Sequence, residues 1–86
     1  MKTLEEIIAK ERETRGENGM FGIKACKESI IAEVNRNRKL NEQYQVNFYK
    51  TSLYVLLEDY VHRANQDVFF NDTMVLACWE LINNIE

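Results

Sequence analysis

Apolar residues recur along most of the chain at the three- and four-residue intervals of an α-helix. The longest such stretch is residues 44–65, YQVNFYKTSLYVLLEDYVHRAN. Val46, Tyr49, Leu53, Leu56 and Tyr60 form one stripe, and Tyr54, Leu57, Val61 and Ala64 form a second beside it. Together they cover more than half the circumference, whereas a surface helix needs an apolar arc of only about 100°. The pattern therefore predicts a helix packed on at least two sides, as the axis of a bundle or as a dimer seam. Its start has a competing reading, because Tyr44, Val46 and Phe48 alternate with Gln45 and Asn47 as in a strand. No second alternating segment offers a pairing partner.

Three further helices are predicted. Thr3-Leu4-Glu5-Glu6 reads as a capping box that opens a helix over residues 4–15. Leu4, Ile7 and Ile8 give it a narrow apolar edge, and Glu11, Arg12, Glu13 and Arg15 a polar end, so it should be the least buried. A helix over residues 23–40 carries Ile23, Cys26, Ile30 and Val34 on one stripe, extended by Asn37 and widened by Ile31. Lys24, Lys27, Glu28, Glu33, Arg36, Arg38 and Lys39 lie opposite. The last helix, over residues 72–85 and capped by Asn71 or Asp72, has adjacent stripes of Met74, Cys78, Leu81, Ile85 and of Val75, Trp79, Ile82. The chain has no proline, and its three glycines all fall in residues 16–22, which are expected to form a flexible loop. The expected fold is all-α, a single domain of residues 1–86 built as a small bundle of about four helices. Two broad-faced helices in so short a chain also fit a homodimer.

Composition narrows the class. The chain is 45% hydrophobic and 29% charged, as in ordinary globular proteins. The net charge of −3 argues against a general nucleic-acid binder. Residues 1–43 hold nine Lys/Arg against eight Asp/Glu, and residues 44–86 two against six, so the C-terminal half is acidic and aromatic-rich. No secretory signal or membrane span is read from the pattern, and a cytoplasmic location is expected. Cys26 and Cys78 fall on apolar stripes and are expected to be reduced core thiols.

Candidate chemistry is sparse. Asp59-x-x-His62 places a carboxylate and an imidazole on one helix face, the spacing of helical metal sites and of a general base. The chain has one histidine and no second copy of the motif, so a metal-dependent enzyme is the least favoured reading. The glycine spacing G-x-x-G-x-x-G meets no nucleotide-binding fingerprint. Lys24 and Lys27 near a helix start could hold an anion, and with Arg36, Arg38 and Lys39 they could form a stripe for nucleic acid. Glu28 and Glu33 interrupt it.

The favoured reading is a non-enzymatic protein that binds and modulates or inhibits another protein, with no cofactor. Met20 and Phe21, held between glycines, are a core plug or a partner anchor, and Tyr49, Phe69 and Phe70 are further contact candidates. Association of the chain with itself is also expected. In size, acidity and asparagine content the chain is similar in character to small accessory proteins of phages and mobile elements, without a motif in common.

Overall fold

The fold is taken from a computed structural model, which describes residues 1–14, 22–40, 48–66 and 71–85; for residues 37–40 and 71 it describes the backbone. Every regular element among them is an α-helix: α1 (Leu4–Thr14), α2 (Ile23–Leu40), α3 (Phe48–Ala64) and α4 (Asn71–Asn83). The protein is a small all-α bundle. Among the described residues no helix is long and apolar enough to cross a membrane.

Helix α1 starts where the capping residue puts it. The Glu6 amide donates to Thr3 Oγ1 at 3.3 Å, and the Ile7 amide donates to the Thr3 carbonyl at 3.1 Å. Thr3 thus satisfies donors that the first turn would otherwise leave open. On α2 the expected stripe is the buried one, Ile23, Cys26, Ile30 and Val34. Burying such a stripe from a 3.6-residue repeat is what holds a helix of this length in place, since isolated helices are marginal.

The centre of the bundle differs from expectation. Helix α4, not α3, packs against all three other helices, while α3 packs against α4 and α2. The reason lies in side-chain size and charge. Thr73, Val75, Leu76, Ala77 and Cys78 are all fully buried, and Glu80 is the only charged residue from Thr73 to Asn83. Thr73, Ala77 and Cys78 are small enough for neighbouring helices to approach closely, and from Thr73 to Trp79 no charge needs to reach water. Helix α3 carries Lys50, Glu58, Asp59 and Arg63, which must keep one side wet. Its buried stripe is Leu53, Leu57, Tyr60 and Ala64, running between the two stripes read from the sequence. Residues 44–47, where helix and strand readings compete, lie outside the described residues.

Polar ties fix the ends. Asn65, just past α3, brackets the backbone of Lys2: its Oδ1 accepts from the Lys2 amide at 2.7 Å, and its Nδ2 donates to the Lys2 carbonyl at 3.2 Å and to the Val61 carbonyl at 3.0 Å. Lys2 Nζ reaches both carboxylate oxygens of Asp72 at 3.1 Å, in the first turn of α4. The N-terminal segment is thereby fastened across the α3–α4 corner. Glu11 is a second departure from expectation. Placed on a polar end by the sequence pattern, it is buried and accepts from the Thr73 hydroxyl at 2.9 Å.

Candidate functional site

The inner stripe of α3 faces the core through positions spaced four, three and four apart. The opposite side repeats the spacing through Thr51, Val55, Glu58 and His62, all exposed. Tyr54 lies beside them, 45% exposed, and Val55 is 61% exposed. Single exposed apolar residues are ordinary on a protein surface. Here two large ones are adjacent on one helix, and Val55 also forms a wall of an open groove of about 250 Å³ lined by Phe48, Thr51, Ser52, Val55 and Leu56. Three of these five residues are apolar. The groove is smaller than the roughly 300–1,000 Å³ of small-molecule sites, and its size suits a side chain offered by another surface.

The ridge is flanked by charge. Lys50, Tyr54 and Glu58 follow one another at intervals of four, so the basic and acidic groups stand one helical turn to either side of the tyrosine. Lys50 and Glu58 are exposed, and neither has an ion-pair partner among the described residues.

The metal-like spacing on this helix is otherwise engaged. Asp59 Oδ2 pairs with Arg63 Nε at 3.0 Å, and His62 Nε2 lies 3.0 Å from Gln66 Nε2. Among the described residues no three His, Cys, Asp or Glu side chains stand close enough together to hold a metal ion.

The anion stripe on α2 is only partly open. Lys27 Nζ is bound to Glu80 Oε1 at 2.7 Å, which joins α2 to α4, and Arg36 pairs with Glu33 at 3.2 Å along the helix. Lys24 is exposed. The side chains of Arg38 and Lys39 lie outside the described residues, as do Met20, Phe21, Phe69 and Phe70. Of the candidate partner contacts only Tyr49 is described, and it is half-buried against the core. Burial, reinforced by nearby Cys78, raises its phenol above the usual value of 10.0.

Both cysteines are buried thiols, with no disulfide between them. Cys78 Sγ donates to the Leu53 carbonyl at 3.1 Å, and burial pushes its thiol from 9.0 up to about 12. A thiol held protonated in the core is a packing group and not a nucleophile.

Tyr54 and Val55 were not singled out as contact residues by sequence reasoning. The signal was present in the α3 pattern, whose apolar arc exceeds what one buried face requires. The chain matches no protein-family model, no curated protein and no solved structure.

Proposed function

We propose that this chain is a non-catalytic binding protein that docks another protein against the outer face of α3. One observation carries the reading: Val55 stands 61% exposed in the wall of an apolar groove, on a helix whose opposite side is already satisfied by the core. Tyrosine contributes much to protein interfaces, because its ring buries a large area at low conformational cost and its hydroxyl tolerates water. On α3 Asp59 pairs with Arg63, His62 meets Gln66, and Lys50 and Glu58 stand in solvent, an arrangement suited to contact. The chain would act by occupying its partner, modulating or inhibiting it, in the cytoplasm.

The test is a photo-crosslinking residue placed in intact cells at position 55, with Glu28 on the polar side of α2 as control position. A discrete protein adduct at 55 that is absent at 28 supports the reading. Equal labelling at both positions, or none at 55, overturns it.

A further inference from the structure

Helices α2, α3 and α4 close a triangle, each packed against the other two. Helix α1 stands outside it, with α4 as its principal contact. Among the described residues α1 buries two apolar side chains, Ile7 and Ile8, against four each from α2 and α3 and five from α4. Lifting α1 away would leave most of the core in place.

Two polar clasps complete the attachment of α1. At its start, Asn65 brackets the Lys2 backbone and the Asp72 carboxylate receives Lys2 Nζ. In its last turn, buried Glu11 accepts from the Thr73 hydroxyl. Asp72 and Thr73 both lie in the first turn of α4, so the two ends of α1 are tied to the same turn. Water replaces polar partners when such ties open, so each contributes modest net stability. Helix α1 has eleven residues, and isolated helices below about 12–15 residues are marginal in water. Undocking and unwinding of α1 are therefore one event.

We infer that α1 is a releasable strap, which lifts from α4 as one cooperative unit while α2, α3 and α4 stay folded. Release frees Asp72 and bares Thr73, together with Leu76 and Ala77, which follow it by three and four residues and share its face. The central helix, covered by all three neighbours while α1 is docked, then has one side open to water. The inference is independent of the docking face on α3.

The experiment is NMR-detected hydrogen exchange on the isotope-labelled full chain, in urea raised stepwise below the unfolding transition. The expected result is a single opening shared by the Ile7, Ile8 and Glu11 amides. It is populated more than about tenfold above the opening that exposes the Ile30, Leu57 and Leu76 amides. Its urea dependence is real but smaller, because less surface is exposed. Asn65→Ala, which removes the clasp at the start of α1, raises this opening by about tenfold. Ile30→Val, a conservative change at a fully buried position of α2, speeds exchange at Leu57 and Leu76 and leaves α1 unchanged.

Helix α1 amides that exchange only with the rest of the chain, at the same population and urea dependence, overturn the inference. So does equal acceleration of α1 by Ile30→Val, or an α1 opening indifferent to Asn65→Ala. Exchange graded residue by residue along α1 without urea dependence is fraying, and overturns it too.

Discussion

The Thr73 hydroxyl donates to the Glu11 carboxylate across 2.9 Å, and both side chains are buried between α1 and α4. A charged residue that the α1 pattern assigns to solvent is thus a tie to the central helix. A buried acceptor that loses a donor bears its own desolvation cost. Thr73→Val, which keeps the shape and removes the hydroxyl, should lower unfolding stability by about 1–3 kcal/mol. Thr73→Ser retains the donor and should lose less. Urea denaturation of the two variants orders them, and equal losses would remove the hydrogen bond from the account.

The Asn65 amide bracketing Lys2 gives a second ordering. Asn65→Ala deletes three hydrogen bonds at once, to the Lys2 amide, the Lys2 carbonyl and the Val61 carbonyl. Lys2→Met removes only the ion pair with Asp72, whose lysine side chain is 38% exposed. Exposed pairs contribute about 0–1 kcal/mol, so Asn65→Ala should be the more destabilising of the two. It should also speed exchange of the Lys2 amide, which loses its acceptor, and NMR-detected hydrogen exchange reads that.

Helix α4 as the axis makes a contrast between two apolar residues. Leu76 is fully buried, and Leu76→Ala should cost about 2–5 kcal/mol through lost transfer energy and the cavity left behind. Val55→Ala on the outer face of α3 should cost less than about 0.5 kcal/mol in dilute protein. Thermal unfolding at low concentration measures both, and comparable losses would mean that Val55 is covered within the monomer.

The Lys27–Glu80 pair at 2.7 Å joins α2 to α4 with both side chains partly shielded. Lys27→Met should destabilise the bundle by about 1 kcal/mol, and the loss should shrink as salt is added. Lys24→Met, at an exposed position on the same helix, should be neutral. Denaturation at two ionic strengths separates a structural Lys27 from one kept free for anions.

Alkaline pH should weaken the fold in a defined window. Burial raises Cys78 from 9.0 to about 12. For Tyr60, burial, followed by the nearby Cys78, Glu33 and Asp59, raises the phenol from 10.0 to about 12. Both groups stay protonated in the folded chain after the unfolded chain has released its protons. Stability is therefore whole below pH 9.0 and falls as the pH rises toward about 12. Cys78→Ala should flatten part of this fall while costing some stability at neutral pH through lost packing. A thiol reagent should leave native Cys78 unmodified at mildly alkaline pH and react fully in denaturant.

Much of this architecture is legible in the residues themselves. Thr3 marks the start of α1, and the Ile23, Cys26, Ile30, Val34 stripe of α2 is buried as its spacing implies. The all-α class, the four helices and the buried thiols follow from helical periodicity and from the apolar stripes that carry Cys26 and Cys78. These are properties of one segment at a time, and a single chain displays them. Which helix becomes the centre is a property of three segments at once. Residues 44–65 have the longest apolar pattern, yet α4 is the axis because its uncharged run Thr73–Cys78 can be approached from three sides. The charges of α3 hold one of its faces in water, and Tyr54 and Val55 are carried out with them. Glu11 shows the same limit from the polar side: nothing within α1 announces a threonine 62 residues away in sequence. The sequence by itself determined where helices form and which stripes seek cover. The tertiary structure alone decided which stripe found it and left the outer face of α3 open, because burial depends on the neighbour as much as on the residue.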